Sequence, residues 1–175
     1  MNITREQRLG LGRVKEHRNN KMKRQLNLKQ YIKGKVAVFI DAANILYSQQ
    51  DLKWEIDYKK LAKYFQDNYK LEFLGFYYGM IRENKGQARF FAMLKDRGFT
   101  VKTKPVKYIK TPKGTILKGN LDIELAYDVL RLEDKFDTCI LFSGDSDFEI
   151  ILKHLKRQKS RYWSSQQKGM FQLSL

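Results

Sequence analysis

A single cysteine, Cys139, occurs in this chain of 175 residues, so no internal disulfide can close. It sits in the apolar run Thr138–Phe142 and reads as a buried core thiol. Only two histidines accompany it, His17 and His154, far apart in sequence. That scarcity argues against a zinc site of the usual Cys/His type and against a two-histidine ribonuclease. The lack of paired cysteines suits a reducing, cytoplasmic compartment. No apolar run approaches the length that spans a bilayer, and the first residues are polar. Neither a transmembrane helix nor a signal peptide is therefore expected. A phosphate-cradling glycine-rich loop of the Walker type is also missing.

Acidic residues are scarce at both ends. Residues 153–175 hold six Lys/Arg and no acid, and residues 1–35 hold 11 Lys/Arg against Glu6 and Glu16. Residues 36–152 carry 18 basic and 17 acidic side chains, so the net charge of +16 is gathered at the termini. Such ends attract polyanions by releasing their counterions; they also serve as solubilising, partly disordered arms, and both readings stand. The expected organisation is a basic N-terminal arm over residues 1–34, helical or disordered, and one domain over 35–175. The 42% hydrophobic content is enough for a real core.

At Lys35 the pattern changes. Residues 36–40 are an unbroken apolar, β-branched run that ends abruptly in Asp41, as expected of a strand covered on both faces. Asp57 is placed to cap a helix over 57–69, with Leu61, Ala62, Phe65 and Tyr69 on one stripe. A strand over 71–80, a helix over 84–97 stopped by Gly98, and a strand over 99–103 follow. A basic stretch then runs to Lys118, turning at Thr111-Pro112-Lys113-Gly114 as a short hairpin or lid. Next come a helix over 120–132, a strand at Thr138–Phe142 and a helix ending near residue 157. Arg161–Ser164 is a candidate last edge strand. Strands alternating with helices predict an α/β fold, a central parallel sheet flanked by helices.

Ligands of such sheets bind beyond the carboxyl ends of the strands. Two strands end there in acids: Asp41 after the first, and Asp145 with Asp147 after the strand at Thr138–Phe142. The plain reading is helix capping, which accounts for Asp145 and Asp147 more readily than for Asp41. At 100° per residue, Asp122 falls near the centre of an apolar face with Leu125, Ala126 and Val129, while Glu124, Asp128 and Arg131 gather on the solvated face. An acid in an apolar stripe needs a partner or an exposed helix end. Carboxylates gathered at one sheet edge repel one another unless a cation sits between them. Hard oxygen donors suit Mg²⁺ or Mn²⁺, and such a site can attack a phosphodiester with water. Phosphatases with an Asp-x-Asp nucleophile carry it after the first strand, whereas Asp145-Ser146-Asp147 comes late. Asn44, three residues after Asp41, is a helix cap or a support for the metal site. Lys118 is placed to reach a phosphate. Residues 95–118 hold eight Lys/Arg against Asp96 alone, a phosphate-tracking surface on which Tyr108 could stack a base.

The segments Phe39-Ile40-Asp41-Ala42-Ala43-Asn44, Lys118-Gly119-Asn120-Leu121-Asp122 and Ser143-Gly144-Asp145-Ser146-Asp147-Phe148 resemble the three signature segments of NYN domains, in the LabA-like branch of the PIN-like nuclease superfamily. The resemblance covers about residues 35–157. It implies a Rossmann-like PIN fold, a Mg²⁺ or Mn²⁺ site and ribonuclease activity on single-stranded or structured RNA. Carried over, Asp41, Asp122, Asp145 and Asp147 match the catalytic, metal-holding acids. Asn44 matches the Asn of the first motif, and Ser143 opens the third. Family members often have a further acid at Asp128, which the helical wheel ranks lower. The chain departs from the family over 159–175, where a polar segment would leave a sheet edge uncovered. Because PIN-like folds also serve as scaffolds, a non-catalytic RNA-binding or regulatory module is the alternative, and a DNA-directed nuclease a third.

Overall fold

The computed structural model describes residues 31–52, 54–112, 114–157 and 161–164. The expected basic arm, as far as residue 30, lies outside the described residues, and so does the tail from residue 165. In chain order the elements are β1 (Lys35–Asp41), α1 (Ala42–Leu52), α2 (Tyr58–Asn68), β2 (Lys70–Met80), α3 (Lys85–Asp96), β3 (Thr100–Pro105), β4 (Lys107–Thr111), β5 (Gly114–Lys118), α4 (Asp122–Arg131), β6 (Thr138–Phe142), α5 (Glu149–Arg157) and β7 (Arg161–Ser164). Short 3₁₀ turns occupy Glu133–Lys135 and Ser146–Phe148.

Five strands form one parallel sheet in the order β3-β2-β1-β6-β7, and β4 pairs with β5 as a separate antiparallel hairpin. The order reverses between β1 and β6. From β1 the chain steps outward to β2 and β3, then returns to β6 and β7 on the other side. The carboxyl ends of β1 and β6 therefore border the crevice where this class of sheet takes its ligands.

Side chains alternate across the sheet, and the alternation sorts the core. Val36, Val38 and Ile40 of β1, with Ile140 and Phe142 of β6, face Leu61, Phe65 and Leu94 of α2 and α3. Ala37 and Phe39, with Cys139 and Leu141, face Leu125, Val129, Leu152 and Leu155 of α4 and α5. Phe39, Phe65 and Phe76 are fully buried, each contributing about 1.5–3 kcal/mol by the area bookkeeping of apolar burial. Parity then fixes the site. Asp41 follows Phe39 by two residues and Ser143 follows Leu141 by two, so both emerge on the α4/α5 face at adjacent strand ends.

Local sequence accounts for the boundaries. Asp57 accepts hydrogen bonds from the amides of Lys59 and Lys60 and starts α2. Asn84 does the same for α3 through Gln87. Before β1, Ile32 is buried and the Lys33 backbone is clasped by the Thr138 hydroxyl, so packing begins just ahead of the first strand. Burial pushes the Cys139 thiol up to about 12, keeping it an inert core thiol. Among the described residues no helix is long and apolar enough to cross a membrane.

Two expectations about α4 are overturned. Asp128 is not on a solvated face: only 3% of it is exposed. The buried stripe of α4 is Leu121, Leu125, Asp128, Val129 and Leu132, while Ile123, Tyr127 and Leu130 face outward. With apolar residues on both sides of the helix, hydrophobicity alone could not choose the inward one. The Tyr77 hydroxyl decides it, donating to Asp128 Oδ2 at 2.8 Å. Asp122, expected near the centre of the inner stripe, is instead half-buried at its margin, on the first residue of α4.

Candidate active site

A cleft of about 430 Å³ opens beyond the carboxyl ends of β1 and β2. Its walls include Asp41, Asn44, Tyr77, Asp122 and Asp145. Three of the four predicted acids thus reach one cavity. Asp147 is exposed and does not line it, although its charge is felt by Asp122. The Lys118 side chain lies outside the described residues; its backbone ends β5, next to the cleft residues Gly119 and Asn120.

Asp41 is 9% exposed and doubly held. Its Oδ1 accepts the Asn44 amide at 3.2 Å and its Oδ2 accepts the Ser143 hydroxyl at 2.8 Å. The first bond makes Asp41 the N-cap of α1, so capping accounts for Asp41 as well as for Asp145. Capping and clustering are not rivals here, because the helix needs one oxygen and the cleft receives the rest of the charge. Burial raises the Asp41 carboxyl above its ordinary range, with the nearby charges of Asp122 and Asp145 adding to the rise; the two hydrogen bonds oppose it.

Ser143, itself buried, also accepts the Asp145 amide at 3.1 Å. It joins two acids of the cluster. Asp145 caps the turn that follows, accepting the Asp147 amide at 2.9 Å. Asn44 reaches across from α1, its side-chain oxygen accepting the Gly144 amide at 2.8 Å. A Cβ at Gly144 would stand 2.7 Å from that oxygen, so a larger residue there would have to displace the Asn44 side chain. Asn44 therefore supports the loop that carries Asp145 rather than simply capping a helix.

Two residues of the cleft were not among the expected site residues, although Asn120 lies within the second signature segment. Asn120 brackets Asp122: its side-chain amide donates to the Asp122 carboxylate, and its oxygen accepts the Asp122 amide at 2.7 Å. Its position two residues ahead of a helical acid was the available signal. Burial raises the Asp122 carboxyl; the Asn120 bond opposes the rise and the charges of Asp145, Asp147 and Glu124 add to it. Tyr77 is the other. It pairs with Asp41 in the sheet and forms a wall of the cleft. Burial drives its hydroxyl far above the ordinary range, and the hydrogen bond to Asp128 drives it further. Nothing in its own sequence context marks it, because the contact with Asp128 spans 51 residues.

The NYN domain family matches residues 35–170. The chain belongs to that family. LabA of Synechococcus elongatus, the "low amplitude and bright protein", is 30% identical to it over 131 residues, which are 73% of this chain and 70% of that protein. That places the NYN domain in the LabA-like branch of the PIN-like nuclease superfamily. A crystal structure of a protein of unknown function from Vibrio parahaemolyticus superposes with a TM-score of 0.62 at 24% identity, over 75% of this chain and 82% of that one. That likeness establishes the shared fold. The family match continues past α5 through the segment read from sequence as a departure, and there Arg161–Ser164 pairs with β6 as a parallel edge strand.

The donor set of this NYN domain is all oxygen: Asp41, Asp122 and Asp145. Among the described residues no three Asp, Glu, His or Cys side chains stand close enough together to enclose a metal ion. Mg²⁺, however, commonly binds through one or two carboxylates, with waters and substrate phosphate completing the shell. Asp41, Asp122 and Asp145 around one cleft fit that mode: burial raises the Asp41 and Asp122 carboxyls, neighbouring acids add to the rise, and a divalent cation would relieve both.

Proposed function

We propose that the protein hydrolyses phosphodiester bonds of RNA at the Asp41–Asp122–Asp145 cleft, with Mg²⁺ or Mn²⁺ as cofactor. The observation that carries this reading is the gathering of Asp41, Asp122 and Asp145 around one cleft at the carboxyl ends of β1 and β2, with no ion pair to any of the three among the described residues; burial and neighbouring acids raise the Asp41 and Asp122 carboxyls. A bound divalent cation supplies activation of water and neutralisation of charge at phosphorus. Asp41, Asp122 and Asp145 would hold it. Ser143 fixes Asp41 and the Asp145 backbone, Asn44 fixes the Gly144 loop, and Asn120 orients Asp122. Asp147 acts from outside the cleft through its charge, and Lys118 through attraction for phosphate.

The test is cleavage of single-stranded and structured RNA by purified protein, with Mn²⁺, Mg²⁺ or chelator, beside Asp41→Asn and Asp145→Asn. The expected result is endonucleolytic cleavage that chelator stops and either substitution abolishes. Cleavage that survives chelator or both substitutions would sink the mechanism. Preference for single-stranded DNA would move the substrate assignment and leave the chemistry standing.

One observation favours the alternative of a non-catalytic RNA-binding or regulatory module: the acids rest on hydrogen-bond donors and do not converge on a common point. Calorimetric or fluorescence melting separates the two readings. A true site raises the melting temperature with Mn²⁺ by mass action, and a module without one does not.

A further inference from the structure

The hairpin of β4 and β5 stands apart from the main sheet, yet its base belongs to the cleft. Val106, Gly119 and Asn120, which flank the two strands, line the same cavity as Asp41 and Asp122. The base is fastened tightly. The Val106 amide donates to the Met80 carbonyl at 3.0 Å. Gly119 lies against Gly79, so that a Cβ on Gly119 would stand 3.0 Å from the Gly79 Cα and 2.7 Å from Val106. Two bare backbones are what let the ribbon rise directly from the cleft wall.

The outward side chains of the ribbon are exposed. Tyr108 is 60% exposed and Ile109 42%. Lys107 and Lys110 are exposed as well. No ring contact or ion pair involves any of them among the described residues. The neighbouring lysines of β3 differ, since Lys102 and Lys104 are committed to Asp128 and Glu124. Strand alternation puts Tyr108 and Lys110 on one face of the ribbon, a ring beside a cation.

We propose that this face guides a single-stranded stretch of polynucleotide into the carboxylate cleft, with Tyr108 stacking on an unpaired base and Lys110 meeting a flanking phosphate. The single strand follows from the ring. Bases within a duplex are already stacked on one another and cannot offer a face, whereas every unpaired base can. The inference rests on the nuclease reading for what happens in the cleft, but the contact itself is testable without chemistry.

The experiment measures binding in chelator, so that nothing is cut. The full chain is titrated into a short single-stranded RNA bearing a fluorescent base analogue, and into its blunt duplex. Wild type should quench the analogue in the single strand. Tyr108→Ala should weaken single-strand binding roughly tenfold, in line with the loss of one base–aromatic stack, and leave duplex binding unchanged. Tyr108→Phe should keep both the quench and the affinity. Lys110→Gln should flatten the salt slope by about 0.7, the share of one lost phosphate contact. Absence of quenching by wild type overturns the proposal without recourse to any variant. So does an equal loss for duplex and single strand, or no loss at all in Tyr108→Ala. Stacking that depends on Tyr108 in a protein that never cleaves with Mn²⁺ would remove the catalytic reading alone. Metal-dependent cleavage by a protein whose RNA affinity ignores Tyr108 would remove this one alone.

Discussion

Asp128 and the cleft acids lie at opposite ends of the ten-residue helix α4 or face it across the sheet edge, and the fold treats them in opposite ways. Asp128 is buried and saturated: the Tyr77 hydroxyl binds one oxygen, Arg131 the other at 2.9 Å, and Lys102 stands 3.8 Å away. Asp41 and Asp122 are held by neutral donors only, a hydroxyl, an amide side chain and backbone amides, and each sits within range of other acids. A buried carboxylate is tolerable when its charge is matched. The fold matches the charge of Asp128 and leaves that of the cleft unmatched among its described residues. Asp128 thus reads as part of the framework, holding Tyr77 as a cleft wall, while the unmatched acids are those the proposed function assigns to a cation.

The sharpest way to break this contrast is to neutralise one acid of each kind. Asp145→Asn should lower metal-dependent turnover on the order of 10³-fold, the size expected when several kcal/mol of metal-borne stabilisation are lost. Asp128→Asn should lower turnover per folded molecule far less, because Asp128 does not line the cleft and meets only Tyr77, Arg131 and Lys102. Single-turnover cleavage at saturating RNA and Mn²⁺ decides it. A loss at Asp128 as deep as that at Asp145 would put both acids in the same machinery.

Stability should reverse the ranking. Asp128→Ala leaves the buried Tyr77 hydroxyl without its acceptor and should cost about 1–3 kcal/mol, the usual penalty for an orphaned buried polar group. Arg131 and Lys102 are about half exposed and find water, so their loss adds little. Asp145→Asn should change the denaturation midpoint far less. Urea titration of both variants in chelator checks this, and a larger loss for Asp145→Asn would contradict it.

How far each half of the comparison could be read in advance depends on the range of its contacts. β1 was legible because an unbroken apolar run ending in Asp41 has few ways to fold except as a buried strand, and parity then carries Asp41 and Ser143 to one face. α2 was legible because Asp57 and the stripe of Leu61, Ala62 and Phe65 agree. The place of Asp145 was legible from the end of its strand; Asp122 was expected within an apolar stripe, but it sits half-buried at the margin of that stripe, on the first residue of α4. Asp128 did not, because α4 has apolar side chains on both sides and the deciding partner, Tyr77, is 51 residues away. Asn44 was ambiguous for the same reason, since its bond to Gly144 spans 100 residues.

That bond gives a smaller effect that sharpens the cleft side alone. Asn44→Ala removes the acceptor of the Gly144 amide, and with it the tie between the loop carrying Asp145 and α1. Turnover should fall about 10- to 100-fold, as for outer-shell partners of metal ligands. Raising Mn²⁺ should recover part of it, because the acids themselves remain. Recovery with Mn²⁺ in Asp145→Asn as complete as in Asn44→Ala would mean Asp145 is no ligand.

The finest effect is in the pH dependence of the metal-free protein. The Asp122 carboxyl is raised above its ordinary value of 3.8, first by burial and then by neighbouring acids. A group whose folded value is raised favours folding when protonated. Its contribution is therefore fully present below the unfolded value near 3.8 and is lost as pH climbs through the raised folded value. At neutral pH the metal-free fold carries the cost of burying the charged carboxylate and, beside it, the repulsion. Asp122→Asn removes both, so in chelator at neutral pH the variant should melt slightly above wild type. The margin should shrink as the pH falls toward 3.8, where the wild-type carboxyl is neutral too. Excess Mn²⁺ should reverse the order, because an ion held at about 100 times its dissociation constant stabilises wild type by about 2.7 kcal/mol, and the variant binds it less well. Melting curves across pH, with and without Mn²⁺, read both signs. A variant that melts below wild type in chelator at neutral pH would mean that Asp122 already has its cation within the chain, and the contrast with Asp128 would fail.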